Sequence, residues 1–225
     1  MPANVPFSEE ERRGVYRAIY ERRDVRSHFL PLPVGDDVLC RILDAAHHAP
    51  SVGFMQPWDF LVIRDAAVRK AIHANFEQAN QKAAEVYQGE RRALYDSLKL
   101  AGILEAPVSV CVTCDHNRAK GGGLGRQSDS ATDLYSTVCA IQNLWLAARA
   151  ESLGVGWVSI VDLDGLKTTL GIPAAHTLVA YLCIGYTSEF GVQPDLEVKG
   201  WECRESLANV IHFDRWGAQR KDWVR

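Results

Sequence analysis

The sequence predicts a layered α/β or α+β fold, one sheet with helices on both faces. Three observations predict it. Segments with helical spacing of apolar residues outnumber the short β-branched runs, helices separate those runs, and 47% hydrophobic against 24% charged residues is the balance of an ordinary globule. The 225 residues, 25.0 kDa, suit a single domain over 1–225, with tails at 1–7 and 218–225 expected to be loose. A chain of that size buries about 70% of its unfolded surface, so its core needs no disulfide or metal. Disordered, collagen-like and disulfide-stapled classes are excluded.

Ser8-Glu9-Glu10-Glu11 is a capping box: serine and the glutamate three residues on satisfy amides that a helix start leaves free. A first helix therefore begins there and runs to about Arg22. A loop carrying Pro31 and Pro33 follows. Leu39, Ile42, Leu43 and Ala46 recur at helical spacing and predict a second helix ending before Pro50. Phe60 to Ile63 reads as a buried strand. From Ala66 to about Leu100 the chain is rich in Ala, Glu, Lys and Gln, hence helical, with a break near Gly89. Pro107 to Thr113 is a second strand, and Lys120 to Arg126 a flexible loop. Thr132 to Ala150 is the longest helix, with Leu134, Val138, Ile141, Trp145 and Ala148 on one face. Further apolar residues extend round it, so burial on most sides is expected. Gly154 to Ile160 is a turn into a strand. Asp162 is placed to cap a short helix that ends at Gly171, and Leu178 to Ile184 is a last core strand. Beyond it, Trp201, Phe213, Trp216 and Trp223 occur without periodicity, as in an arm docked on another subunit or a loose end.

Lys and Arg number 25, Asp and Glu 28, for a formal net charge of −3. Nucleic-acid binders usually carry a basic excess, so nucleic acid is not expected as a partner and any anion site must be local. No apolar run reaches the length of about 18 residues that a membrane span needs. Met1 to Glu10 lacks the basic-then-apolar pattern of a signal peptide. Six cysteines in such a chain then point to reduced thiols in a cytoplasm.

Arg22, Arg23 and Arg26 cluster where the first helix ends. Guanidinium forks match phosphate geometry, and three together can neutralise a phosphomonoester; the alternative is a solvated basic helix end. Asp24 stands among them. A carboxylate in a cationic cluster stays ionised and can serve as a positioned acceptor or base. Pro50 to Trp58 mixes a hydroxyl (Ser51), an amide (Gln56) and aromatics, a combination that grips a planar polar ligand or merely covers the core with Phe54 and Trp58. Cys111 and Cys114 form a lone C-x-x-C in an apolar strand, which favours a structural role over redox chemistry. The glycines of 121–125 fit neither a P-loop nor G-x-G-x-x-G and read as a mobile lid or a linker. His47-His48 belongs to no metal motif, so no metal is expected. Gly154 and Gly156 let a backbone approach a ligand closely, with Ser159 just beyond.

Taken in order, four of these motifs resemble the nitroreductase-like flavoprotein superfamily. They are the arginine turn, the Pro-Ser-x-x-Asn-x-Gln-Pro-Trp pattern, the helix carrying Gln142-Asn143-Leu144-Trp145-Leu146-Ala147-Ala148, and Gly154-Val155-Gly156-Trp157. Phe54 departs from the pattern's usual asparagine. With Arg22 to Arg26, Asp133 to Cys139 and Gly156 to Ile160, the chain is similar to the superfamily's flavin-fragmenting branch, which consumes reduced FMN with O2.

The resemblance implies an α+β fold, a central mixed sheet flanked by helices, with a C-terminal extension embracing the partner subunit of a homodimer. It implies FMN binding by Arg22, Arg23, Asp24, Val25, Arg26, Ser51, Gln56, Leu100, Ser159 and Arg204, the last reaching the phosphate. Asp24 and Ser159 match the residues assigned to the chemistry. Asp24 is the expected acid/base near the ribityl hydroxyls, and Ser159 the hydrogen-bonding group near flavin N5. Phe54, Met55 and Trp58 are expected to keep water out. The products implied are 5,6-dimethylbenzimidazole and D-erythrose 4-phosphate, with a separate flavin reductase supplying reduced FMN. Two other readings stay open: an FMN-dependent NAD(P)H reductase of nitro compounds or quinones, and a non-catalytic flavin-binding module.

Overall fold

The computed structural model describes residues 5–220; residues 1–4 and 221–225, parts of the two expected tails, lie outside them. The chain divides into two compact units, one reaching to Val192 and one beginning at Gln193.

In the first unit, α1 (Glu9–Glu21) opens with the predicted capping box: the Ser8 hydroxyl accepts from the Glu11 N–H, and the Glu11 carboxylate accepts from the Ser8 N–H. Next come α2 (Asp36–His47), β1 (Trp58–Ile63), α3 (Ala66–Ala84) and α4 (Gly89–Asp96). The break expected near Gly89 falls at residues 85–88, between α3 and α4, and α4 ends at Asp96, short of Leu100. They are followed by β2 (Val108–Asp115), α5 (Thr132–Ala150), β3 (Leu153–Val158), α6 (Leu163–Leu170) and β4 (His176–Tyr186). Asp162 stands at the start of α6, but its side chain makes no capping bond. Asn75 of α3 brackets its backbone instead, accepting from the Asp162 N–H at 2.9 Å and donating to its carbonyl at 3.0 Å. The second unit contains α7 (Asp195–Val198) and α8 (Leu207–Val210).

The strands form one sheet in the order β1-β2-β4-β3, with every ladder antiparallel. The parallel component of the expected mixed sheet is an isolated bridge between Asp24 and Val155. Both faces are covered, which is why β2 and β4 read as nearly continuous apolar runs. Val108, Val110, Val112, Ala180, Leu182 and Ile184 meet α2 and α5 on one face. Cys111, Tyr181 and Cys183 meet Ile72, Phe76, Ile103 and Leu166 on the other. A bulge between Val112 and Thr113 skips Val179, so Leu178 joins the second face rather than the first.

The buried side of α5 differs from the predicted face. It runs through Asp133, Ser136, Thr137, Ala140, Ile141, Leu144, Trp145 and Ala148, while Tyr135 and Val138 are exposed. Three polar residues begin the buried side because the N-terminal end of α5 faces the loops around the candidate site, where hydroxyls and a carboxylate find partners.

Candidate active site

The arginine turn is an extended segment laid along β3. The Val25 N–H donates to the Val155 carbonyl at 2.9 Å, beside the Asp24–Val155 bridge. The two glycines of β3 permit this approach. A Cβ on Gly156 would stand 2.2 Å from the Val25 carbonyl oxygen, and one on Gly154 would stand 2.9 Å from the Val25 side chain. The sequence suggested that they admit a ligand; what they admit is the chain at residues 24–25.

Asp24 is thereby fixed at both oxygens. Oδ1 accepts from the Trp157 N–H at 3.0 Å, and Oδ2 accepts from Arg26 Nη2. Burial pushes its pKa above the ordinary carboxylate range and outweighs the opposing pull of Arg26, the Trp157 N–H and Arg22. This corrects the expectation that a cationic cluster simply keeps it ionised: burial makes it a better proton holder than an ordinary aspartate. A carboxyl so shifted and so placed suits general acid/base work.

The arginines differ in their commitments. Arg23 donates through Nη1 to the carbonyls of Tyr20 at 2.8 Å and Arg22 at 2.7 Å, and through Nη2 to that of Val192. The Arg22 guanidinium lies over the Trp145 ring, 4.9 Å from its centroid. The Nε groups of Arg23 and Arg26 are buried without a hydrogen-bond partner among the described residues. Buried donors of this kind call for an acceptor, and a phosphate-bearing flavin fits them.

The second loop is organised around Ser51, whose Oγ accepts from the Gln56 N–H at 3.2 Å. Phe54 and Gln56 both sit in the left-handed backbone region, at φ 54° and 46°. Such values are uncommon for side chains of this size, and the strain they carry is a feature of functional loops. Trp58 and Met55 are buried, and Trp58 Nε1 donates to His47 Nδ1 at 3.1 Å. Phe54 alone of the three expected covering residues is exposed, at 66%. The glycine segment packs on this loop: a Cβ on Gly121 would lie 2.1 Å from the Gly53 carbonyl oxygen. Lys120 donates to Gln56 Oε1 and stands 4.6 Å from the Phe54 ring centroid. Arg118 braces the loop's end with a two-pronged contact to Asp59, 2.7 Å on each oxygen, and a bond to the Gln56 carbonyl at 3.0 Å.

Ser159 is exposed, two residues beyond Trp157 and just past the end of β3. Leu100 is half-buried against the cluster containing Ile103 and Tyr181. Arg204 is exposed in the second unit. The structure thus joins residues 22–26 to β3 and Ser51 to Gln56. Sequence reasoning missed the Trp157 amide, Lys120, and the contact of Trp145 with the turn. An amide leaves no residue signature, Lys120 was hidden in a glycine run, and Trp145 read as ordinary core.

The thiols of Cys111 and Cys114 are both pushed up by burial, that of Cys111 to about 12, which opposes redox reactivity. Cys114, His116 and Asp133 bring donor atoms within 4.8 Å of one another. Asp133 Oδ2 is already shared by His116 Nδ1 at 2.7 Å and Arg126 Nη2 at 3.1 Å, and its Oδ1 accepts from the Leu134 N–H.

The Nitroreductase family model matches residues 19–186. The chain belongs to this family. It is 43% identical over 198 residues to a 5,6-dimethylbenzimidazole synthase of Rhodospirillum rubrum, covering 88% of this chain and 93% of that one. It is 39% identical over 196 residues to another from Rhodobacter capsulatus, covering 87% and 94%. Among solved structures, iodotyrosine deiodinase bound to FMN and 3-iodo-L-tyrosine superposes with a TM-score of 0.68 at 20% identity, covering 88% of this chain and 100% of that one. A BluB-like flavoprotein from Clostridium difficile 630 gives 0.67 at 18% identity, covering 89% and 99%. The family's α+β fold, a sheet between helices, is the one expected. Among the described residues no helix is long and apolar enough to cross a membrane.

Proposed function

We propose that this protein fragments reduced FMN with O2, releasing 5,6-dimethylbenzimidazole and D-erythrose 4-phosphate for the lower ligand of cobalamin. The observation that carries the reading is Asp24, a half-buried carboxyl of raised pKa built into a turn whose arginines suit a phosphate. Its relatives named 5,6-dimethylbenzimidazole synthase support the same reading.

Reduced flavin supplies an electron-rich ring that reacts with O2. The chain's own residues do the rest. Arg22, Arg23 and Arg26 bind the phosphate and the flavin edge, with the buried Nε groups of Arg23 and Arg26 as donors awaiting an acceptor. Arg204 adds a further contact to the phosphate. Ser51 and Gln56 orient the ring, Leu100 contributes apolar surface, and Phe54 helps exclude water. Asp24 holds and moves a proton at the ribityl hydroxyls, and Ser159 hydrogen-bonds near flavin N5. No metal takes part.

The protein acts in the cytoplasm as a homodimer. Among the described residues α1 buries none of its side chains, and Val15, Tyr16, Ile19 and Tyr20 are exposed, as are Tyr135 and Val138 of α5. Apolar faces of that extent suit an interface with a second copy. A separate flavin reductase supplies the reduced FMN.

Incubation with chemically reduced FMN in air, followed by chromatography, tests the proposal. A benzimidazole peak is expected. Flavin recovered whole overturns it, and NAD(P)H consumption with an added nitro or quinone acceptor would favour the reductase reading instead.

A further inference from the structure

We infer that Trp145 is the positioning residue of the arginine turn, holding the Arg22 side chain and the Arg23 main chain ready for a phosphate. The inference rests on the phosphate role proposed above. Trp145 lies on α5 and is 8% exposed. It touches the turn in two chemically different ways. Its ring lies beneath the Arg22 guanidinium, 4.9 Å from centroid to guanidinium carbon, where the negative face of an indole attracts a cation. Its Nε1 donates to the Arg23 carbonyl at 3.2 Å. A third contact reaches Asp24 indirectly. The Trp157 ring is 6.5 Å from that of Trp145, and the Trp157 N–H is the donor that holds Asp24 Oδ1.

One side chain therefore meets the first arginine, the backbone of the second, and the residue that fixes the carboxylate. An arginine loses considerable rotamer freedom when it grips an anion. A guanidinium already parked on an aromatic face has lost much of it beforehand, so the phosphate binds more tightly. Leucine at this position would fill much of the same apolar volume but would supply neither the aromatic face nor the donor.

The test compares FMN with riboflavin, which lacks the phosphate, by quenching of flavin fluorescence during titration with the full-length protein. The wild type is expected to prefer FMN. Trp145→Leu is expected to lower that preference about fivefold with riboflavin affinity unchanged, and Trp145→Phe, which restores an aromatic face, to recover most of it. Equal weakening of both ligands, or an unchanged preference in a folded Leu variant, overturns the inference, because a merely structural tryptophan has no reason to discriminate a phosphate. Should Trp145→Leu not fold, Trp145→Met, which also lacks the aromatic face, is compared in the Arg22 and Arg22→Gln backgrounds. The preference is expected to fall only where Arg22 is present, and an equal fall in both overturns the proposal. A wild type without preference for FMN overturns the phosphate reading itself, and it does so before any substitution is made.

Discussion

The arginine turn and the loop of residues 51–58, the two segments proposed to hold the flavin, are held in place by opposite means. Residues 22–26 are held largely by backbone: an amide-to-carbonyl bond to β3, a close passage over Gly156, and a Trp157 amide on Asp24. Residues 51–58 are held largely by side chains. Ser51 ties Gln56, Lys120 reaches Gln56 and Phe54, Arg118 clamps Asp59, and two residues sit at positive φ. Backbone anchoring against a core strand moves only when the sheet does. Side-chain anchoring on an exposed loop can open locally at small cost. A rigid end suits a phosphate and a proton donor that must keep their distance, and an adjustable end suits a planar ring that must enter and leave.

The largest effect is expected at the rigid end. Asp24→Asn keeps an acceptor for the Trp157 N–H but removes the titrating group. Benzimidazole formation should fall about a hundredfold or more, the usual scale for losing a general acid/base, while FMN binding persists. Product analysis beside a fluorescence titration separates the two, and near-normal product yield would remove Asp24 from the chemistry.

Stability should follow the same division. An added methyl meets backbone at nearly the same distance at Gly156 and Gly121, 2.2 and 2.1 Å. Yet Gly156→Ala should cost about 1–3 kcal/mol, an overpacking penalty, since neither β3 nor the turn can yield. For a chain of this length that lowers Tm by roughly 5 °C. Gly121→Ala should cost only the strain of its left-handed backbone at φ 81°, about 1–2 kcal/mol, because the exposed loop can lift away from Gly53 and escape the contact. A loss at Gly121 well beyond that strain in thermal melts would show that the loop is as rigid as the turn.

Asp24 also makes the turn sensitive to pH. Its pKa is raised by burial in the folded state, so the folded form binds the proton more tightly than the unfolded one. The stability this gives is present in full below the unfolded aspartate value near 4 and is lost as pH rises through the folded value. Denaturant titrations from pH 4 upward should therefore show the wild type losing stability relative to Asp24→Asn. A difference that stays flat across that range would mean that Arg26 and the Trp157 amide fully offset the burial.

How much of this was legible in the sequence follows from the same division. The capping box at Ser8, the two outer limits of α5 and the run of β2 depend on residue type and spacing, which a sequence displays. The arginine turn was legible as a cluster of charges. What holds it was not, because the Trp157 amide and the Val155 carbonyl are backbone groups with no residue signature, and Gly156 announces a close approach without saying what approaches. The buried side of α5 was misplaced for a related reason. Asp133, Ser136 and Thr137 look like surface residues until His116, Val52 and the helix's own carbonyls are seen to satisfy them.

The smallest effect is expected from Lys120, which is also the sharpest probe of the adjustable end. Lys120→Met removes a donor to Gln56 Oε1 and a cation over Phe54 while keeping a flexible apolar stem. Global stability should change by no more than about 0.5 kcal/mol, as for most surface substitutions. Local opening is another matter. An exposed cation–π contact is worth about 0.5–1 kcal/mol, so amide hydrogen exchange across residues 120–125 should quicken roughly two- to fivefold. Exchange at residues 22–26 should stay as it was, since among the described residues Lys120 contacts Gln56 and Phe54 and not that turn. If the loop's exchange is also unchanged, the backbone contact of Gly121 with Gly53 holds it, and the adjustable end is built as the rigid one is.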